Sequence, residues 1–355
     1  MRPPDGERTA MRAMVLRGDA LAIEDVERPT PGPGQVLAKV LACGICGSDL
    51  HAALYLGEMI AASRASGSSA WDTIDREQAM VMGHEFVAEV VEVGEGAENW
   101  RPGQRVTSMP VLPDRDAPNG FRSIGYAPEV PGAYGEYVLM GAAMLLPVED
   151  SLPDEVAATT EPCAVGLHAV RQAGLTSRDH VVVMGAGPIG LMTLLWLKEE
   201  GVKHVTVSDY AASRRGLAAR LGADLVVNPG ETGVQEAHEA VMGSRPTVVF
   251  ECVGIRGTLE QAMEMTERQG TVVVVGVCML EDTIRPMVGI NKQLTLRFVL
   301  GYTADEYAEA LAALTAGRVD TRPLITRIVS LEELPAAFKA LASPEECKVV
   351  VKPNG

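Results

Sequence analysis

Positive charge is scarce in this 355-residue sequence. It contains 31 Lys and Arg residues against 47 Asp and Glu residues, which gives a formal net charge of −16 at pH 7. A chain with this charge repels a phosphate backbone, and no basic cluster stands out in it. The composition therefore argues against nucleic acid as a partner and is otherwise typical of a soluble protein.

The sequence also lacks a hydrophobic run long enough to cross a membrane. Its longest apolar stretch, residues 181–196, is interrupted by three glycines and a proline, whereas a spanning helix needs about 20 mostly apolar residues. Residues 1–19 have neither the apolar core nor the cleavage site of a secretory signal. We expect a cytoplasmic protein without membrane contact, whose folded part begins near Met11.

Cysteine is rare, and its spacing does not suggest a disulfide framework. Small disulfide-stabilised domains carry their cysteines densely in a short chain. Here they are scattered, so we expect reduced thiols, with a metal ligand among them. The six are Cys43, Cys46, Cys163, Cys252, Cys278 and Cys347.

The length predicts two domains, because a single core stops growing at about 250–300 residues. The first third alternates short apolar runs with Pro- and Gly-rich turns, which is typical of a β-rich domain. From about Pro153, apolar strands alternate with helices of about 10–15 residues, which indicates a parallel, doubly wound sheet. The last fifty or so residues break this pattern and are expected to return to the first domain.

A glycine-rich turn follows the first predicted strand of the α/β part, with Gly185, Gly187, Pro188, Ile189 and Gly190 in the order GxGPIG. In this setting the first glycine permits a tight turn, the second admits a pyrophosphate, and the third allows close packing of helix and strand. The helix N-terminus attracts the phosphate charge. A tight turn without a ligand is the alternative interpretation.

Asp209 ends the next predicted strand, 19 residues after Gly190. A carboxylate at this place accepts hydrogen bonds from the ribose of NAD and repels the 2′-phosphate of NADP. Arg214 and Arg215 follow closely, which leaves some tolerance of NADP open. The motif predicts NAD as the preferred cofactor.

The segment "CGICGSDLH", residues 43–51, and the segment "MGHEF" contain the ligand types that zinc prefers. Cys46 and His51 are predicted on a turn that leaves a strand, and His84 at the start of the next strand. A catalytic zinc needs three protein ligands and one open position. A redox pair of Cys43 and Cys46 is the alternative, but it needs a thioredoxin-like βαβ setting, which this β-rich region does not supply.

Together these motifs resemble those of the zinc-dependent medium-chain dehydrogenase/reductase family, the alcohol and polyol dehydrogenases. The resemblance runs from Met11 nearly to the end through "GICGSDLH", "GHE", "EP" before a helix, the glycine turn, Asp209, "FECVG" and "VVVVGV". It implies a GroES-like catalytic domain of residues 11–156 and 303–355, a Rossmann domain of residues 157–302, and an extension of residues 1–10. It places the active site in the cleft between the domains.

The resemblance implies Cys46 and His84 as the first two zinc ligands. The third family position falls on Glu161, with Cys163 as the rival. A glutamate there preserves the charge of a second thiolate, so that zinc with its three ligands sums to zero. Glu85 is expected to orient a ligand or to exchange with water on zinc.

The same resemblance assigns the proton path and further cofactor contacts. Asp49 holds His84 from behind, Ser48 accepts the proton of the alcohol, and His51 passes it through the nicotinamide ribose to solvent, unless His51 is only a surface residue. Further cofactor contacts are expected from Arg214, from Val253 of "FECVG", from Val275 of "VVVVGV", and from Lys348 beside the pyrophosphate.

Two departures from the family pattern affect these expectations. Many relatives carry four closely spaced cysteines that bind a structural zinc, but no cysteine lies between Cys46 and Cys163, so we predict one catalytic zinc per chain. Residues 57–78, with Trp71 and one short helix, form a longer loop than is usual and are expected to shape the substrate pocket.

The predicted function is a zinc- and NAD-dependent oxidoreductase, a homodimer or homotetramer, that interconverts a primary or secondary alcohol and its carbonyl. A polyol or threonine-type dehydrogenase of the same family is the first alternative. A zinc-independent quinone or enoyl reductase conflicts with Cys46, His84 and Asp209. A nucleotide sensor without turnover conflicts with the intact pair Ser48 and His51.

Overall fold

The computed structural model describes residues 9–18, 20–67, 78–117, 119–341, 343 and 345–355. Trp71, with the rest of residues 68–77 of the loop predicted to shape the pocket, lies outside these ranges. Within them, no helix combines the length and the hydrophobicity that a bilayer crossing requires.

The regular elements follow the chain in the order short strands, then alternating helices and strands, then a return to strands. The strands are β1 (Ala10–Arg17), β2 (Ala20–Glu27), β3 (Gln35–Gly44), β4 (Met80–Val81), β5 (Glu85–Val93), β6 (Arg105–Ser108), β7 (Val111–Pro113), β8 (Phe121–Ser123), β9 (Tyr137–Gly141), β10 (Leu145–Pro147), β11 (Val181–Met184), β12 (Val205–Ser208), β13 (Leu225–Val227), β14 (Val248–Glu251), β15 (Thr271–Val274), β16 (Thr295–Phe298), β17 (Ile325–Ser330) and β18 (Lys348–Lys352). The α-helices are α1 (Gly47–Ala65), α2 (Asp154–Ala157), α3 (Thr160–Ala173), α4 (Pro188–Glu199), α5 (Ala212–Arg220), α6 (Val234–Met242), α7 (Thr258–Met265), α8 (Pro286–Lys292), α9 (Ala304–Thr315) and α10 (Leu334–Ala340).

The chain divides into two compact units. The first comprises residues 1–161, 325–342 and 348–355, and the second comprises residues 162–324 and 343–347. The sequence prediction ended the second domain at residue 302, before α9. That helix instead packs within the second unit, because it buries the face that carries Tyr307 and Leu311 and because Glu306 Oε2 lies 2.9 Å from His168 Nδ1 of α3.

The first unit is built on a sheet with the strand order β10-β6-β5-β3-β18-β17, in which β9 also pairs with β3. The central strand β3 runs antiparallel to β5, with Gly44 opposite Glu85. Strand β18, from the end of the chain, pairs with the same end of β3. Three distant segments therefore meet where β3 leads into Cys46.

Helix α1 begins at Gly47, directly after Cys46. Asp49, in its first turn, accepts a hydrogen bond from the Cys46 N–H over 3.2 Å, the geometry of a capping box. The prediction of a turn here, with a short helix only in residues 57–78, is therefore corrected: one helix with a kink at Tyr55 runs from Gly47 to Ala65. The functional side chains of the motif consequently lie on a helix.

The second unit contains a parallel sheet with the order β13-β12-β11-β14-β15-β16. Four-residue strands such as β11 and β12 are buried throughout, as expected for strands covered by helices on both faces. The strand order reverses beside β11, which is the place where such sheets bind ligands. The predicted doubly wound sheet is confirmed.

Candidate active site

Three groups of the ligand types that zinc prefers lie together in the first unit. Cys46, His84 and Glu85 each offer one ligand atom, and these atoms lie within 4.8 Å of one another. The pairing of β3 with β5 produces this meeting, since Cys46 follows the end of β3 and Glu85 begins β5. A sulfur, an imidazole nitrogen and a carboxylate oxygen form a donor set that fits zinc.

The electrostatics around His84 also fit a bound cation. Burial alone would lower the pKa of His84, but the negative charges of Asp49 and Cys46 outweigh it and raise that pKa well above its usual value. His84 Nδ1 lies 3.2 Å from Asp49 Oδ1, although it forms no well-oriented hydrogen bond with the described residues. A carboxylate behind one imidazole nitrogen is the usual arrangement when the other nitrogen binds a metal.

Asp49 is completely buried and receives several donors. Tyr126 Oη donates to its Oδ1 over 2.8 Å, and Tyr134 Oη donates to its Oδ2 over 2.5 Å. Burial by itself would raise the pKa of Asp49. The charge of His84 and these hydrogen bonds have the larger effect, so the net pKa of Asp49 lies below its usual value. The sequence analysis missed both tyrosines. They lie in a Pro- and Gly-rich segment without a recognisable motif. The one signal in the sequence is that two of the chain's 7 tyrosines lie close together there.

Ser48 lies in the first turn of α1, with its Oγ 3.1 Å from Cys46 Sγ and 2.8 Å from Tyr126 Oη. His51 lies one turn further on, half-buried, with its ring edge-on to that of Tyr55 at a centroid distance of 6.3 Å. Burial lowers the pKa of His51. The hydrogen bonds of Ser48 lead to Tyr126 rather than to His51.

Lys348 does not occupy the place that the sequence analysis assigned to it. Its side chain is 1% exposed, and its Nζ donates to Glu85 Oε1 over 2.8 Å, to Glu85 Oε2 over 2.7 Å and to the Ile45 carbonyl over 3.0 Å. These bonds use all three N–H groups of the amine. The Lys348 amine is therefore bound to Glu85 and Ile45 and has no N–H group left for a pyrophosphate.

Glu161 and Cys163 are separated by the geometry of α3. Residues two apart on a helix point about 200° away from each other. The Cys163 thiol is fully buried in the second unit, and burial raises its pKa to about 12. Glu161 is buried, and its charge contributes to the raised pKa of Lys348, but its carboxylate is not one of the three grouped ligand atoms.

The glycine turn after β11 has the geometry that a dinucleotide requires. Gly185 has φ +88°, and a Cβ on Gly190 would lie 1.9 Å from the Gly185 carbonyl oxygen. Nothing lies within 4 Å of the position of a Cβ on Gly187, which precedes α4 without a side-chain cap. The backbone around Gly187 is therefore open to a phosphate. Val253 and Val275 follow β14 and β15 at the same edge of the sheet.

Asp209 follows β12 and lies against this turn. Its Oδ2 accepts the Ala186 N–H over 2.9 Å, and its Oδ1 accepts the Ala211 N–H over 2.8 Å. A carboxylate has about four acceptor sites, so two remain for ribose hydroxyls. Arg214 Nη1 lies 4.0 Å from Oδ2, whereas Arg215 Nη1 is bound to two backbone carbonyls.

Comparison with known proteins agrees with this geometry. Residues 32–150 match the family model of the alcohol dehydrogenase GroES-like domain, and residues 188–316 match that of zinc-binding dehydrogenases. The chain is 34% identical over 346 residues to (R,R)-butanediol dehydrogenase of Bacillus subtilis, covering 94% of this chain and 97% of that protein. The chain belongs to the zinc-dependent medium-chain dehydrogenase/reductase family. The predicted family and the GroES-like domain are thus confirmed.

Other relatives of this dehydrogenase are similar over their full length. Sorbitol dehydrogenase of Bos taurus is 31% identical over 358 residues, which cover 96% of this chain and 95% of that protein. The crystal structure of 2R,3R-butanediol dehydrogenase from Bacillus subtilis superimposes with a TM-score of 0.83 at 31% identity, covering 97% of this chain and 100% of the other. A zinc-binding dehydrogenase from Sinorhizobium meliloti, bound to NADP, superimposes with a TM-score of 0.84 at 28% identity, covering 98% and 100%.

Membership of this family confirms the predicted class of reaction. The dehydrogenase is an oxidoreductase that uses zinc and a nicotinamide cofactor to interconvert an alcohol and its carbonyl. Its small-molecule substrate and its oxidoreductase class agree with the sequence prediction.

Proposed function

We propose that this dehydrogenase uses one catalytic zinc and NAD to oxidise a secondary alcohol that carries a neighbouring hydroxyl. The observation that carries the proposal is the group of Cys46, His84 and Glu85, with Asp49 behind His84. Two relatives are named for a diol and a polyol, which supports the substrate class. The simple primary or secondary alcohols of the sequence prediction are the alternative.

The zinc ligands that we propose are Cys46, His84 and Glu161. Glu85 offers an oxygen within 4.8 Å of the Cys46 and His84 ligand atoms, but both of its oxygens are bound to Lys348, which favours an orienting role over direct ligation. Cys163 is disfavoured as a ligand because its thiol is fully buried, and this burial raises its pKa to about 12, away from the thiolate form that zinc binds. Zinc, when bound, supplies a Lewis acid that lowers the pKa of a substrate hydroxyl.

NAD is the cofactor that we propose, on the strength of Asp209. Its carboxylate lies beside the turn that receives the pyrophosphate, where it repels an additional phosphate on the ribose. NADP is the alternative cofactor, because one relative was solved with NADP bound, and Arg214 would then be the partner of the additional phosphate. The single zinc rests on the lack of cysteine between Cys46 and Cys163.

A homodimer is the smallest assembly that we propose. Strand β16 is at the edge of its sheet, and Phe298 at its end and Leu300 just after it are 69% and 91% exposed. An open strand edge with apolar side chains is a typical surface for pairing with a second copy. A homotetramer and the cytoplasmic location remain predictions.

A substrate panel tests the proposal. The zinc-loaded protein is mixed with NAD⁺ and, separately, with vicinal diols, polyols, aliphatic alcohols and aryl alcohols, and NADH formation is followed by its absorbance. We expect the highest kcat/KM with diols or polyols, and loss of activity when a chelator removes zinc. Activity that survives complete zinc removal would instead indicate the reductase alternative.

A further inference from the structure

Tyr126 links two groups of the site that the sequence analysis treated separately. Its Oη lies 2.8 Å from Ser48 Oγ and 2.8 Å from Asp49 Oδ1. Its ring also lies against the His84 imidazole, with a centroid distance of 5.2 Å and an angle of 40° between the planes. One side chain therefore contacts the proposed proton acceptor and both members of the carboxylate–imidazole pair.

The position of Tyr126 is fixed by the backbone on either side of it. A Cβ on the preceding residue, Gly125, would lie 3.0 Å from the Gly83 carbonyl oxygen, so the two segments touch directly. Further along, the Ala133 N–H donates to the Gly83 carbonyl over 2.8 Å, and the Tyr134 N–H donates to the Met82 carbonyl over 2.9 Å. These contacts attach the tyrosine segment to the residues that precede His84.

The hydrogens in this chain of contacts can be assigned by counting donors. The Asp49 oxygens receive Tyr126 Oη, Tyr134 Oη and the Cys46 N–H, so Asp49 acts only as an acceptor. Tyr126 has one hydroxyl hydrogen, which must point to Asp49, because otherwise two oxygens without a hydrogen would face each other at 2.8 Å.

The same count then fixes the Ser48 hydroxyl. Tyr126 Oη has no hydrogen left for Ser48, so at 2.8 Å it must accept the hydrogen of Ser48. The Ser48 hydroxyl also donates to Cys46 Sγ over 3.1 Å. A hydrogen turned wholly to the sulfur would leave the two hydroxyl oxygens facing each other at 2.8 Å, so Tyr126 Oη takes the larger share of it. The free lone pairs of Ser48 Oγ then remain to accept a hydrogen bond from a ligand.

We propose that Tyr126 is a positioning residue that takes the hydroxyl hydrogen of Ser48 and so keeps Ser48 Oγ as an acceptor toward the O–H of the substrate alcohol. The inference rests on the proposed function, since it concerns the same substrate site. It predicts that the site distinguishes ligands that donate a hydrogen bond from ligands that only accept one.

Binding of two unreactive probes tests this inference without turnover. Trifluoroethanol donates through its O–H, whereas dimethyl sulfoxide only accepts. Their dissociation constants are measured by calorimetry on the zinc-loaded protein with NADH present for both ligands, so that the cofactor is the same on both sides of the ratio. In Tyr126→Phe the Ser48 hydrogen is released, and the ratio of the two constants should shift toward the acceptor ligand by about 3- to 10-fold, the effect of one hydrogen bond.

Tyr134→Phe is the matched control, because Tyr134 also donates to Asp49, whereas the Ser48 hydroxyl bonds to Tyr126 and Cys46. It should leave the ratio unchanged. Zinc content and thermal unfolding of each variant report any general damage to the site. In a Ser48→Ala background, Tyr126→Phe should have no further effect on the ratio, since the hydroxyl through which it acts is gone.

The outcomes separate the possible failures. An unchanged ratio in Tyr126→Phe, or equal shifts in Tyr126→Phe and Tyr134→Phe, would overturn the role of Tyr126 while leaving the dehydrogenase proposal intact. If Tyr126→Phe does not fold, the comparison of Ser48→Ala with the wild type tests the acceptor state of Ser48. Removal of this acceptor must weaken trifluoroethanol more than dimethyl sulfoxide, and equal weakening of both would overturn the inference. Failure of the wild type to bind trifluoroethanol at all would count against the proposed function itself.

Discussion

The buried ion pair of Lys348 and Glu85 allows a quantitative prediction. The two side chains are 1% and 0% exposed, and all three N–H groups of the amine are used. In Lys348→Met, the Glu85 carboxylate loses its counter-ion without gaining access to water. Removal of one partner from a buried pair costs about 3–5 kcal/mol, because the remaining charge stays desolvated. We expect the free energy of unfolding to fall by that amount.

Lys352→Met provides a matched control on the same strand. Lys352 Nζ lies 3.0 Å from Glu155 Oε2, but the two side chains are 33% and 28% exposed, so this pair contributes only about 0–1 kcal/mol. Urea unfolding, followed by tryptophan fluorescence at constant zinc and compared at equal m, measures both variants. In Lys348→Met/Glu85→Gln most of the loss should be recovered. Equal losses in Lys348→Met and Lys352→Met would refute the reasoning.

Three further predictions concern the metal, the cofactor and pH. Cys46→Ser should abolish zinc retention and turnover but leave the NADH dissociation constant unchanged; full zinc content by atomic absorption would remove Cys46 from the ligand set. Asp209→Ser should lower kcat/KM for NAD about 10- to 100-fold relative to NADP, because charge-assisted hydrogen bonds to the ribose are lost; an unchanged ratio would mean that the ribose is held elsewhere. Burial, with the charges of His204 and His180, lowers the pKa of His238 from 6.5 to about 4. The unfolded chain therefore binds a proton that the native chain does not, and stability falls by roughly 3 kcal/mol as the pH drops from 6.5 to 4. In His238→Gln that part of the urea-measured pH dependence should vanish, and an identical dependence would contradict the assignment.

The cofactor half of the site could be predicted because its information is local. Gly185, Gly187 and Gly190 lie within six residues, and the strand before them and the helix after them follow from hydrophobic patterning. Asp209 could be predicted from one further feature, its place at the end of the next strand. The structure places this carboxylate beside the turn, where it binds the Ala186 N–H.

The metal half was predicted in its ligand types but not in its surroundings. Spacing and ligand chemistry pointed to Cys46 and His84, and β3 and β5 bring them together. Nothing in the pattern indicated that Lys348 would reach Glu85 from 263 positions away rather than a pyrophosphate. Such a partner depends on which strand a terminal segment joins, and a pattern of alternating apolar residues does not specify that.

The segment in which many relatives carry four cysteines also has partners that the sequence pattern does not specify. From the sequence it could only be described as turns and packing. In the structure, strands β7 and β8 form a hairpin, and the residues after it carry Tyr126 and Tyr134 to Asp49. The tyrosines are about 80 residues from their partner along the chain, so no local motif contains both.

The sequence by itself determined the family, the two kinds of domain and the motifs expected at the zinc and the cofactor, because periodicity and short motifs express local geometry. The tertiary structure alone decided that Lys348 is a buried partner of Glu85 and that Tyr126 lies against Ser48. Those roles arise from contacts between segments far apart in the chain, and the burial that gives a charge or a hydroxyl its function exists only once the strands have paired.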